Sequence, residues 1–300
     1  MRILYTDLDG TMVGPGGSFF TALAAARPQA RAGASSAAPA GDGAHPLTLE
    51  PARALLELHR AGVTLVLVSG RTRPQLVEAG RIFGADGFVA ELGALVGWDG
   101  GRRTEVLTGA MPAEHAGRLP LAVMADGGLP EELFARWPGR LQWHAPWHTG
   151  HEADAMLRGL VDPAEVERWL AGRGWGWLRL RDNGVLSAHR DWPGLAADAR
   201  PPHVYHLMPD GLSKGAAVGW DLARRGLSAA DAVAVGDSAS DLTMAPHVGR
   251  TWVVANGAAA PHMAPLLAGA RAAGHDVRVA AAAVGLGWAE AVRHTLADLG

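Results

Sequence analysis

Short apolar runs that stop abruptly at acids, hydroxyls and glycines punctuate this chain. Arg2–Thr6 has no polar alternation, as expected of a strand buried on both faces of a parallel sheet, and Asp7, Asp9 and Gly10 follow at once. Val63–Val68 is a second such run, ending at Ser69-Gly70-Arg71, and Ala232–Val235 is a third, ending at Gly236-Asp237 with Asp241 four residues on. Between them the spacing predicts helices over Glu50–Ala61 and Pro74–Phe83 and a strand over Gly87–Glu91, so the first block reads βαβαβ. A last block resumes with a helix over Ser213–Arg225, the strand at Ala232, a helix over Ala239–Ala245, a strand over Thr251–Ala255 and two further helices. Together the blocks predict an α/β fold with one doubly wound parallel sheet.

The texture changes between the blocks. Trp175–Arg181 and Val185–His189 alternate apolar and polar residues around Asp182-Asn183-Gly184, which predicts a hairpin with an Asn-Gly turn. Glu131–Trp137 and Pro163–Gly172 read as helices, the second opened by Asp162 as N-cap with Pro163 at its first position. The expected organisation is a core built from residues 1–99 and 207–300 with a separate α+β cap over 100–206. From Arg27 to His45 the chain is almost entirely Ala, Pro, Gly, Ser and Arg without periodicity, which predicts a flexible insert. It follows the first strand, so it is either a cover for the strand ends or a plain surface loop, whose length costs little entropy.

Composition narrows the function classes. A chain of 300 residues, 48% hydrophobic, can bury a full core. Its net charge of −3 offers nucleic acid no electrostatic invitation, and the absence of cysteine removes disulfides, cysteine nucleophiles and thiolate metal sites. No run reaches the ~18 apolar residues of a membrane span. Asp7 and Asp9 interrupt what would otherwise open a signal peptide, so the expected location is cytoplasmic. Nothing in the pattern assigns an oligomeric state.

Chemistry in doubly wound sheets collects at the carboxyl ends of the strands. Carboxylates two apart on a turn can diverge in role, one attacking or ligating while the other carries a proton. Alone, Asp7 and Asp9 are equally an Asx-rich turn, Ser69 a helix cap and Lys214 a solvated helix residue. Four segments in order change that: Asp7-Leu8-Asp9-Gly10-Thr11, the run ending at Ser69, Leu212-Ser213-Lys214-Gly215, and Gly236-Asp237 with Asp241. They resemble the four motifs of the haloacid dehalogenase superfamily of phosphohydrolases. An insertion between the second and third motifs resembles its subclass IIB, with a class-two cap and many sugar-phosphate phosphatases.

The resemblance implies a Mg2+-dependent phosphomonoesterase acting on a small phosphorylated metabolite, a sugar or glyceryl phosphate. It implies Asp7 as nucleophile and Asp9 as proton carrier, with Ser69, Gly70 and Lys214 cradling phosphate. Asp7, Asp9 (through its backbone carbonyl), Asp237 and Asp241 would hold the metal, and an all-oxygen set without His or Cys suits Mg2+. For Asp241 a helix first-turn acid is the alternative. Arg71 is either a substrate contact or a surface residue. A phosphomutase using the same acids, and a non-catalytic phospho-ligand-binding regulator, remain as other readings.

Two departures from the subclass bear on the substrate. Many members carry Glu-Asn-Gly and Asn-Asp where this chain has Glu91-Leu92-Gly93 and Ser240-Asp241, which makes Ser240 a candidate substrate contact. In the cap, Trp143, His144, Trp147, His148 and His151 form a dense cluster. It is a sugar-recognition loop, a set of core tryptophans with incidental histidines, or a zinc site with Glu152 and Asp154. Arg179, Arg181 and His189 are further candidates, and alternation puts the two arginines on one face.

Overall fold

Strand β1 (Ile3–Thr6) is buried at every position, and its alternating side chains feed two different cores. Leu4 points into a cluster with Leu65, Leu67, Phe88, Val235 and Trp288, while Ile3 and Tyr5 join Val66, Val89, Ala234, Val218 and Leu222 on the opposite face. An apolar run without alternation is thus what a strand covered on both sides requires. The computed structural model describes residues 1–14, 18–20, 47–186 and 191–298, so the expected insert at 27–45 and His189 lie outside the described residues.

From β1 the chain passes through α1 (Glu50–Arg60) to β2 (Thr64–Val68) and through α2 (Arg73–Phe83) to β3 (Gly87–Ala90). β4 (Leu95–Trp98) and β5 (Arg103–Val106) then add to the same sheet antiparallel, so its edge is mixed. Next come α3 (Pro120–Asp126), α4 (Leu129–Arg136), β6 (Leu141–Trp143), β7 (Ala155–Gly159), α5 (Pro163–Ala171), β8 (Leu178–Val185) and β9 (His203–Pro209). The chain returns with α6 (Lys214–Arg225), β10 (Ala232–Gly236), α7 (Ala239–Leu242), β11 (Arg250–Val253), α8 (Ala255–Ala258), α9 (Met263–Ala272), β12 (Val277–Val279) and α10 (Val284–Ala297). Capping marks several helix starts: Thr72 and Gln75 form a capping box on α2, and Asp162 and Ser213 accept from backbone N–H groups of α5 and α6. Each such cap contributes about 1 kcal/mol.

The large sheet has the order β12-β11-β10-β1-β2-β3-β4-β5, and a second, antiparallel sheet has the order β6-β7-β9-β8. The second sheet packs Leu157, Leu178, Leu180, Tyr205 and Leu207 against α3, α4 and α5, forming its own core with Val123, Leu133, Val166 and Leu170. Two sheets with separate cores give the α/β fold with an inserted α+β cap. The large sheet runs on past residue 99 to Val106, and the cap sheet runs past residue 206 to Pro209, so both crossings sit a few residues later than the expected boundaries.

The expected hairpin does not form. β8 continues through Asn183-Gly184 to Val185 and pairs with β9, some twenty residues on, with a bulge between Asp182 and Val185. Both Asp182 oxygens are engaged there, accepting from Gly184 N at 2.9 Å and meeting His203 Nδ1 at 2.6 Å, which holds the segment as a bulged strand.

Below the large sheet, Asp221 of α6 ties three elements together. Its buried carboxylate accepts from Tyr5 Oη at 2.7 Å, Trp98 Nε1 at 2.6 Å and Arg225 Nε at 2.8 Å. Among the described residues, no helix is long and apolar enough to cross a membrane.

Candidate active site

β1 lies between β10 and β2, and the sheet is built outward from it in opposite directions, to β2 and β3 on one side and to β11 and β12 on the other. Such a switch point opens a crevice beyond the carboxyl ends of the strands. Asp7 follows β1, Ser69 follows β2, Asp237 follows β10, and Lys214 opens α6. Gly10 makes the turn after Asp9 possible: its φ is +84°, and a Cβ there would lie 2.2 Å from Asp237 Oδ2. Gly236 is similarly required, since a Cβ on it would meet Asp241 Cβ at 2.2 Å.

Lys214 is the electrostatic centre. Its buried Nζ donates to Asp7 Oδ1 at 2.8 Å and to Asp241 Oδ1 at 2.7 Å. The other Asp241 oxygen accepts from Asp237 N at 3.1 Å, Ser238 N at 3.0 Å and Ser238 Oγ at 2.6 Å, the capping box of α7. Asp241 therefore does the helix-capping work and also orients the lysine. Asn256 donates to Gly10 O at 2.8 Å and Asp237 Oδ2 at 3.3 Å, holding the two acidic turns together.

Three carboxylates, Asp7, Asp237 and Asp241, bring oxygens within 4.8 Å of one another, and Lys214 pairs with two of them. Burial pushes Asp7 up to about 7, with Asp241 and Asp9 adding to it and Lys214 opposing. Burial, Asp7 and Asp241 push Asp237 up to about 8. Although burial opposes its charge, Asp241 and Asp7 hold the Lys214 ammonium above the ordinary lysine range. Such a group is short of positive charge, and its all-oxygen donors suit a hard divalent cation.

Above this group lies a cleft of roughly 610 Å3. Its core side includes Asp7, Asp9, Ser69, Gly70, Arg71, Lys214, Asp237 and Ser240, so the residues expected for phosphate and metal are brought to one place. Arg71 grips Asp9 through two hydrogen bonds, and Ser69 Oγ accepts from Arg71 N at 3.3 Å. The cap side is made by Trp147, His151, Met156, Asn183 and His206.

Most of the expected cap residues lie elsewhere. His148 stacks on Trp143 with ring centroids 5.1 Å apart, and His144 is buried beside Trp192. Arg179 and Arg181 share Asp210, at 2.8 and 3.3 Å. None of these four lines the cleft. Glu152 pairs with Arg73 at 2.9 Å, whereas Asp154 is buried between two imidazoles: His151 Nδ1 lies 2.5 Å from Oδ1, and His206 Nδ1 contacts Oδ2. Burial opposes it, but His206 and His151 hold the Asp154 carboxyl far below the usual range.

Glu91 clamps cap to core. Fully buried after β3 with φ at +50°, it accepts from the backbone N–H groups of Glu152 at 2.9 Å and Ala153 at 2.8 Å. Burial and Asp154 push Glu91 up to about 8 against the pull of His151. Glu91, Asn183, His206 and Asn256 were not singled out as site residues by the sequence. Asn256 carried a usable signal, an apolar run ending at a polar residue and a glycine; Asn183 and His206 carried none, because cross-strand pairing alone brings them together.

No family model matches the chain. A phosphoglycolate phosphatase of Halobacterium salinarum is 46% identical over 187 residues, covering 55% of this chain and 75% of that protein. Among solved structures, the sucrose-phosphatase from Synechocystis sp. PCC6803, in complex with sucrose and phosphate, superposes with a TM-score of 0.59 at 16% identity, covering 98% of each chain. A haloacid dehalogenase-like hydrolase from Bacteroides thetaiotaomicron gives a TM-score of 0.58 at 14% identity, over 98% of this chain and 99% of that one. The chain belongs to the haloacid dehalogenase superfamily and is a phosphatase.

Proposed function

We propose that the chain is a Mg2+-dependent phosphomonoesterase that works through an aspartyl phosphate on Asp7, with a small phosphorylated metabolite as substrate. The observation that carries this is the convergence of Asp7, Asp237 and Asp241, two of them paired with buried Lys214, at the floor of an open cleft. A phosphate dianion repels an attacking carboxylate, so hydrolysis needs positive charge, an in-line nucleophile and a proton for the leaving oxygen.

The residues divide these tasks. Asp7, Asp237 and the Asp9 carbonyl would hold the metal, with Asp241 supporting Lys214. Bound there, Mg2+ supplies charge neutralisation at the phosphoryl oxygens. Ser69 Oγ and the N–H groups of the turn after it donate to the phosphoryl group, and Lys214 steadies Asp7 against it. A carboxylate oxygen of Asp7 forms a bond to phosphorus as the ester P–O bond breaks, and Asp9 gives its proton to the leaving alkoxide. Asp9 then takes a proton from water as that water attacks the phosphorus, releasing phosphate and restoring Asp7.

Phosphate release from a panel of phosphomonoesters with Mg2+ and with a chelator tests the proposal. The panel includes phosphoglycolate, which the Halobacterium relative's name brings in, beside sugar and glyceryl phosphates. The expected result is turnover that needs Mg2+ and is lost in Asp7→Asn; full activity in Asp7→Asn would overturn the nucleophile assignment.

A further inference from the structure

The bulge in β8 has a functional counterpart behind it. Asp182 pairs with Tyr205 and Val185 with His203, so Asn183 and Gly184 together oppose the single residue Val204. Bulges re-aim side chains beside sites, and here the re-aimed residue, Asn183, lines the cleft.

Asn183 is backed by a chain of polar groups. Its Nδ2 lies 3.4 Å from His206 Nε2, and His206 Nδ1 in turn contacts Asp154 Oδ2. Asp154 and His206 are both fully buried. An ionised carboxylate only accepts, so the His206 nitrogen facing Asp154 carries the hydrogen. Its other ring nitrogen, Nε2, meets the Asn183 amide. This anchors one end of the amide and leaves the other end to whatever occupies the cleft.

We propose that Asn183 is a specificity-determining residue, with His206 and Asp154 as its positioning residues. Resting on the phosphomonoesterase reading above, it selects a substrate whose leaving group carries a hydroxyl: the phosphate ester of a polyol or sugar. The cap wall reinforces the choice, because among the described residues its lining of Trp147, His151, Met156, Asn183 and His206 includes no lysine or arginine to meet a second anion. Trp147, half exposed, offers an aromatic face to a sugar ring.

Kinetics with Mg2+ on glycerol 3-phosphate, propyl phosphate, phosphoglycolate and p-nitrophenyl phosphate test this. Wild type should favour glycerol 3-phosphate over propyl phosphate by about tenfold in kcat/KM, the effect of one neutral hydrogen bond to substrate. Asn183→Ala, at an exposed position, should erase that ratio by raising KM for glycerol 3-phosphate more than for propyl phosphate. Asp154→Asn should lower the same ratio, and nitrogen NMR should show His206 losing its Nδ1–H tautomer. A ratio that survives Asn183→Ala, an equal loss on every substrate, or a preference for phosphoglycolate would overturn selection by Asn183. Turnover of none of the four by wild type would instead overturn the phosphomonoesterase reading, and this inference with it.

Discussion

Arg71 holds Asp9 at two points, Nε 2.7 Å from Oδ2 and Nη2 2.6 Å from Oδ1. Both Asp9 oxygens are engaged as acceptors, so Asp9 must leave this grip before it can hand a proton to a leaving oxygen. In the proposed reaction a phosphate dianion entering the cleft would compete for the same guanidinium and so free the acid. Arg71→Ala should raise KM by about tenfold, the scale of one lost charge-assisted interaction. Asp9→Asn should act on kcat instead, lowering it by at least ~100-fold. Steady-state kinetics of the two variants separate these outcomes, and equal effects on kcat would contradict the assignment.

Stability without metal should fall as pH rises. Asp7 and Asp237 are pushed up to about 7 and about 8, whereas an unfolded carboxyl titrates near ~4. Between those limits the folded chain binds protons that the unfolded chain has already released, so raising pH favours unfolding. Melting in the presence of chelator should therefore show Tm decreasing from pH 5 to pH 8.5. Added Mg2+, held by these acids as proposed, should recover the loss most strongly at the high end. A flat profile would remove the charge shortage inferred for the acidic group.

Lys214→Met should cost both activity and stability. The buried ammonium is paired with Asp7 and Asp241, and deleting one partner of a buried ion pair typically costs roughly 3–5 kcal/mol. Turnover should fall by about 1,000-fold as phosphate loses its fixed cation. Added Mg2+ should restore part of the Tm but not kcat, which differential scanning and phosphate release measure independently.

Asp221→Ala tests the fold away from the chemistry. It strands the Tyr5 hydroxyl and the Trp98 indole and leaves Arg225 with Asp86 alone, and a loss of roughly 3–5 kcal/mol is expected. Urea unfolding should show a lower midpoint with an unchanged slope, and residual native enzyme should retain its KM.

The catalytic floor was legible because each of its parts is local. An apolar run that ends in Asp7, Ser69 or Asp237 states both the strand and the residue at its end, and parallel pairing then gathers those ends automatically. The cap wall was not legible, because it depends on pairing between distant segments. Asn183-Gly184 has the composition of a turn, yet β9 offers β8 a longer apolar partner than a local hairpin would, and the pair is absorbed as a bulge. The Trp/His cluster at 143–151 divides for the same reason. Trp147 and His151 reach the cleft while His144 and His148 pack against tryptophans, a distinction set by the turn at 144–150 and invisible in composition.

Glu91 gives the two halves of the molecule a common reference point. Its carboxylate stitches the cap backbone at Glu152 and Ala153, while its own N–H is bound to Arg71 O and the next residue's N–H to Ser69 O. The turn after Ser69 and the cap are thus both fastened to Glu91. A lever pinned there moves least beside the pin and most at its far end, so any rocking of the cap would displace its far end and leave the turn after Ser69 still.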